Sequence, residues 1–299
     1  MHRKMSTVNV QLLVSLILTA QLSLGMAASP VIGVVLANGS FRIDSSTIHG
    51  NGTLTDGAAI ETSKASSDIQ LQGGVRMRLA SDTRGKVFHD RLVLERGVGQ
   101  LENAAGYRVE ALSLRVIPST PAAVGRVQMK AGNRVYVAAL QGDFRVTNSQ
   151  GTLIAALAAG RALEFEPQAG AAAPSTLTGC LEKREGRYFL TDETAGVTVE
   201  LKGTVPDKEV GNRVEITGST IPGATPAAGA SQVLQVGNVK HLSKRCTSAA
   251  GAAAAGGAAV GMTVGTKAVI AGVIVASAAT GTAVGLTRGD EESVNVSRP

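Results

Sequence analysis

Tryptophan is absent, and only three tyrosines and five phenylalanines occur in 299 residues. A row of rings on which unpaired bases stack is thereby excluded, as is the aromatic floor of a typical sugar cleft. Charge of one sign is also scarce. Lys and Arg outnumber Asp and Glu by 29 to 23, and Arg3 and Lys4 account for part of the net +6. The remaining basic residues lie scattered among acids, whereas a nucleic-acid surface gathers them on one face. No nucleic-acid partner is expected.

Catalytic patterns are missing as well. His2, His49, His89 and His241 stand apart from one another and from cysteine, so no metal-ligand spacing exists. No Ser sits in a Gly-x-Ser-x-Gly elbow, and no Gly-Lys-Ser/Thr follows the Gly-rich C-terminal region. His89-Asp90 lies between two strand patterns and reads as a turn, as do Asp56 and Asp143 beside glycines. The sequence predicts no catalytic, cofactor-binding or metal site and a protein that is not an enzyme.

What is present begins with a leader. Arg3 and Lys4 precede an uncharged apolar run over 8–24 and small residues at Gly25, Ala27 and Ala28. That order predicts a secretory signal peptide over 1–28. Beyond it, apolar residues alternate. Phe41 and Ile43, Val75 with Met77 and Leu79, Leu92 and Leu94, Val127 and Met129, Val135 and Val137, Phe144 and Val146, and Leu163 and Phe165 each give period two. Half-buried strands follow, with turns expected at Asn38-Gly39, Asn51-Gly52, Asp56-Gly57, Gly73-Gly74 and Gln150-Gly151. GSFRI at 39–43 is echoed by GDFRV at 142–146, each with an inward apolar pair around an outward Arg.

The stretch QAGAAAPS at 168–175 predicts a linker between a first β unit over 31–167 and a second over 176–246. Strands expected at 177–181, 188–191, 197–201, 214–217 and 233–239 suit a small five-stranded barrel of the OB type. The two cysteines, Cys180 and Cys246, bracket this unit. In an exported chain they predict a disulfide.

After a Gly/Ala-rich segment over 247–267, residues 268–286 run uncharged for 19 positions. At 1.5 Å per residue that covers roughly 28 Å, so the length predicts a transmembrane helix followed by a polar tail over 287–299. Gly257, Gly261 and Gly265, and then Ser277, Gly281 and Gly285, stand four apart. That spacing predicts close helix packing in lipid and a helix-mediated homo-oligomer. A second short helix over 249–264, turning at 265–267 into a hairpin, is the alternative topology.

Residues 33–165 resemble the FecR domain family, on GVVLANGSFRI at 33–43, LTDGAAIET at 54–62, DIQLQGGVRMRL at 68–79, LVLERGVGQL at 92–101 and VYVAALQGDFRVTNSQG at 135–151. The resemblance implies an extracytoplasmic all-β unit, which in regulator members of the family signals through one membrane helix to a sigma factor. This sequence departs from that pattern at its start, where a leader stands in place of a cytoplasmic domain. The expected fold class is therefore all-β: a FecR-like antiparallel sandwich or roll, a small OB-like barrel and a C-terminal transmembrane helix. The expected role is a non-enzymatic, envelope-anchored periplasmic binding or scaffolding protein. Its partner would be an envelope protein or glycan, with attachment to the membrane through the C-terminal helix. A transmembrane signalling component is the alternative.

Overall fold

The computed structural model describes residues 29–104, 106–168, 174–246 and 267–278. Period-two alternation becomes strand almost everywhere, and the apolar member of each pair turns inward. In β3 (Ala58–Thr62) every second side chain is buried, and the same holds in β4 (Ser67–Leu71), β5 (Arg76–Leu79) and β6 (Arg84–Val87). Such a chain has one wet and one dry face per strand, so two sheets must face each other to cover the dry sides.

The first sheet runs β2 (Ser46–Thr55), β1 (Val31–Ile43), β4, β5, β8 (Val98–Glu102), β11 (Val124–Lys130), β12 (Arg134–Gln141) and β15 (Ala162–Pro167). The second runs from the end of β1 through β3, β6, β7 (Arg91–Arg96), β9 (Arg108–Ala111), β10 (Leu114–Pro118), β13 (Phe144–Asn148) and β14 (Leu153–Leu157). Strand β1 belongs to both, because Gly33 to Ala37 pair with β4 while Phe41 to Ile43 pair with β3. The change of partner falls at a register shift between Leu36 and Ser40. Asn38-Gly39 is therefore a bulge inside one strand and not the expected turn, consistent with bulges bending the strand that carries them.

Asn51-Gly52 is likewise not a turn but part of β2. Gly52 is needed there because a Cβ would lie 2.9 Å from Ile43 and 3.2 Å from Phe41. The other expected turns form, with positive φ at Gly57, Gly74 and Gly151. The echo between 39–43 and 142–146 is structural too: Phe41 and Phe144 are buried while Arg42 and Arg145 point out.

The second unit is a closed barrel of β16 (Ser175–Arg184), β17 (Arg187–Asp192), β18 (Thr198–Lys202), β19 (Arg213–Thr220) and β20 (Val233–Ser243). Around the barrel the order is β16, β17, β18, β20, β19 and back to β16, with β18 and β20 the one parallel contact. Closure is partial along the strands: β17 covers β16 only from Gly179 onward, which leaves the start of β16 free to pair elsewhere. A 3-10 turn at Asp207–Glu209 joins β18 to β19.

The C-terminal expectation is overturned. The described part of the expected helix over 268–286 is not helical: β21 (Lys267–Ile270) and β22 (Val273–Ser277) make a hairpin, and the positions from 279 onward lie outside the described residues. Val269, Ile270, Val273, Ile274 and Val275 are β-branched, which favours strand over helix. Ala271 and Gly272 both take positive φ, 47° and 77°, the requirement of a two-residue hairpin turn. Among the described residues no helix is long and apolar enough to cross a membrane.

The hairpin welds the two units. β22 pairs with β15 from Leu163↔Ser277 to Pro167↔Val273, and β21 meets β16 at Thr176↔Val269. Ala268, Ile270, Val273 and Val275 are buried in the same core that holds Phe165 and Leu177. The expected linker is held at its start, where the Gln168 N–H donates to the Gly272 carbonyl at 2.9 Å. Its end, Ser175, already belongs to β16, and 169–173 lie outside the described residues.

Candidate functional site

Where the barrel meets the first unit, three distant segments converge. The β13–β14 turn supplies Gln150 and Thr152, the end of β19 supplies Thr220, the long β19–β20 connection supplies Ile221 and Gln232, and the β21–β22 turn supplies Ala271. They enclose a cleft of about 560 Å³, within the roughly 300 to 1,000 Å³ of small-ligand sites. None of its lining residues is charged or aromatic.

Each wall is fixed by local bonds. Asn148 Oδ1 accepts the N–H groups of Gln150 and Thr152 at 3.0 and 2.9 Å, an Asx arrangement that sets the first turn. The β19–β20 connection is tied to the barrel through Glu200, whose buried carboxylate accepts the Ala227 N–H at 2.8 Å. The hydroxyl of Ser231 also donates to the Thr198 carbonyl at 3.1 Å. At the cleft wall Gln232 is only 5% exposed. Its Oε1 pairs with the Thr220 hydroxyl at 3.1 Å, and its Nε2 has no partner.

Other polar groupings are ion pairs and turn bonds, the most connected being Asp90, Arg91, Arg108 and Glu110 with contacts of 2.9 to 3.5 Å. His89 Nδ1 lies 3.2 Å from Asp56 Oδ1, and its backbone N–H donates to the same oxygen at 2.7 Å, which is turn chemistry as the sequence suggested. His241 contacts Glu209 at 2.7 Å, and that hydrogen bond holds the Glu209 carboxyl below its ordinary range. Asp207 takes hydrogen bonds from Lys183 and Tyr188 at 2.6 and 2.7 Å, and these lower it as well. Asp192 differs, since burial pushes it up even though it accepts the N–H groups of Thr178, Thr194 and Ala195. Those three bonds make it a structural turn residue. Among the described residues no three His, Cys, Asp or Glu side chains gather as metal ligands would.

The sequence-predicted residues fare unevenly. Cys180 and Cys246 are joined, with Cα atoms 5.7 Å apart, inside the range a disulfide needs. Ser277 closes β22 and is exposed in a strand, so it is no helix-packing residue. Gly257, Gly261, Gly265, Gly281 and Gly285 lie outside the described residues. The cleft was missed, because its lining consists of small uncharged residues that carry no motif. The one available signal was the IPGATPAAGASQ stretch at 221–232, too long and too Gly/Pro-rich for a tight hairpin. Comparison with known proteins finds no matching family model, no matching curated protein and no matching solved structure, so the functional reading rests on this geometry.

Proposed function

We propose that the chain is a non-enzymatic, extracytoplasmic binding or scaffolding protein of the bacterial envelope. In this reading a FecR-like β unit and an OB-like barrel together present one ligand-facing junction. The observation that carries it is the cleft at that junction, formed where β21–β22 locks the two units together. Its neutral lining offers hydrogen bonds but no acid, base or nucleophile placed for chemistry. The barrel's strand order, with its single parallel contact, supports the OB likeness, and loops between such strands are places where OB barrels bind. Export is supported by the leader pattern over 1–28 and by the Cys180–Cys246 bridge, since disulfides persist in oxidising compartments.

Two measurements test the reading. Maleimide blocking of intact cells before lysis should find both cysteines protected and the chain in the envelope fraction. Labelled thiols in a cytoplasmic fraction overturn export. A photo-crosslinking residue placed at Thr152 should capture a discrete partner that the same residue at Arg145, exposed on β13, does not. Equal capture at both positions overturns the junction as the binding face.

A further inference from the structure

The wall of the cleft contains a donor with nothing to bond. Gln232 is 5% exposed, its Oε1 is engaged by Thr220, and Nε2 is unsatisfied. Turning the carboxamide over does not remove the problem. The Thr220 hydroxyl serves either end of the amide, so one polar atom of Gln232 is left over in both orientations. A buried polar group without a partner costs about 1 to 3 kcal/mol, and native proteins hold few of them. A group that bonds the free edge recovers that cost.

The best complement to a carboxamide edge is another amide, which offers a carbonyl to Nε2 and an N–H to Oε1. The rest of the lining narrows the class. No charged residue faces the cleft, so a carboxylate, phosphate or ammonium would enter unpaired. No aromatic ring is present on which a sugar face rests. Ile221 and Pro222 supply apolar contact beside the hydroxyls of Thr152, Thr220 and Ser231. Part of the backbone is already engaged, since the Ile221 N–H donates to the Val233 carbonyl at 2.9 Å and the Ser231 N–H to the Thr198 carbonyl at 2.9 Å. Among the lining side chains, Gln232 is the one with an unpartnered buried polar atom.

We infer that the junction cleft is a binding site for an uncharged peptide segment, whose backbone amide pairs with the Gln232 carboxamide and whose small apolar side chains pack on Ile221 and Pro222. The inference rests on the binding reading above. Nε2 itself is shut off from solvent, so the ligand pairs with it only after a rotation about the terminal torsion of Gln232, broad for an sp3–sp2 bond, turns the amide edge toward the cleft. The site exists only in the assembled chain, since Gln150, Ile221 and Ala271 come from three separate turns.

The experiment is a nuclear magnetic resonance titration of the oxidised full chain with a blocked neutral peptide, N-acetyl-dialanine methylamide, and in parallel with N-acetylglucosamine. The expected result is a saturable shift of the Gln232 side-chain amide and of the backbone amides over 219–233 with the peptide alone. Gln232→Met should weaken that response about tenfold, the upper end of one hydrogen bond's net worth. Ala224→Phe fills the cleft from its rim and should abolish the response, and it carries the test if Gln232→Met fails to fold. Three outcomes overturn the inference. In one, neither probe shifts these resonances and only a bound water contacts the Gln232 amide; in the second, the amino sugar binds and the peptide does not. In the third, both variants bind the peptide as the parent does. None of these depends on where the chain resides in the cell, so failure of export and failure of the site are read separately.

Discussion

At the scale of single residues, the facing sheets depend on where side chains are missing as much as on where they are present. Gly125 in β11 lies directly over the Phe144 ring of β13, and a Cβ there would collide with it. Gly99 in β8 is a milder case, where a Cβ would lie 3.2 Å from the Leu92 side chain of β7. Phe144 is only 1% exposed and belongs to the core. Gly125→Val should therefore destabilise the protein by about 1 to 3 kcal/mol, the usual cost of overpacking. Urea unfolding checks it, and an unchanged midpoint would mean that the sheets do not meet there. Glu164 on β15 offers a pH-dependent counterpart. Its carboxylate accepts Lys130 Nζ at 2.8 Å and Arg134 Nη1 at 2.7 Å, and the Lys130 bond above all holds it below its ordinary value of 4.5. A carboxyl lowered on folding adds stability that is complete above the unfolded value and is lost as the pH falls through the folded one. Glu164→Gln should lower the urea midpoint at pH 7, and the gap to the parent should close below about pH 4. A gap that persists unchanged at pH 3 would show that the ion pairs contribute nothing.

At the scale of elements, the strands were legible wherever burial alternated, because period two belongs to no other regular structure. All five barrel strands lie where the pattern of 176–246 put them, and the cysteine pair was legible because it brackets that unit. The C-terminal segment was misread for a physical reason. Counting uncharged residues measures whether a helix would be tolerated by lipid, and says nothing of whether Val and Ile on both sides of an Ala-Gly pair prefer to be a hairpin. The hairpin's register is equally hidden in the sequence, since β15 and β22 are more than a hundred residues apart. The cleft was illegible for a related reason: its residues are ordinary turn residues until the hairpin brings three turns together. Val275, fully buried opposite Phe165, is the centre of that weld. Val275→Asp would bury a carboxylate with no partner, so the hairpin should leave its groove at a cost of at least 3 kcal/mol. Calorimetry should then show two melting transitions in place of one. A single transition at the parent's temperature would mean that β22 adds nothing to the junction.

For the whole molecule, the question is whether the disulfide stabilises a small barrel or the entire chain. Cys180 and Cys246 lie 66 residues apart and enclose the second half of β16 and all of β17, β18, β19 and β20. Closing a loop of that length contributes on the order of 4 kcal/mol by constraining the unfolded chain. How far the melting temperature falls on reduction depends on how much of the protein melts with the barrel, because a larger cooperative unit has a larger unfolding entropy and moves less per kcal/mol. With β21–β22 in place the sheet runs without interruption from β15 through the hairpin into β16, so both units should melt together. Reduction of the parent protein should then lower its single transition by on the order of 10 °C. In Val275→Asp the barrel melts alone, and reduction should lower its own transition by on the order of 20 °C while leaving that of the first unit in place. Scans of both proteins with and without reductant make the comparison. Equal shifts in the two would show that the barrel already melts independently in the parent, and the hairpin would then be a covering element, not the weld through which the bridge in one unit stabilises the other.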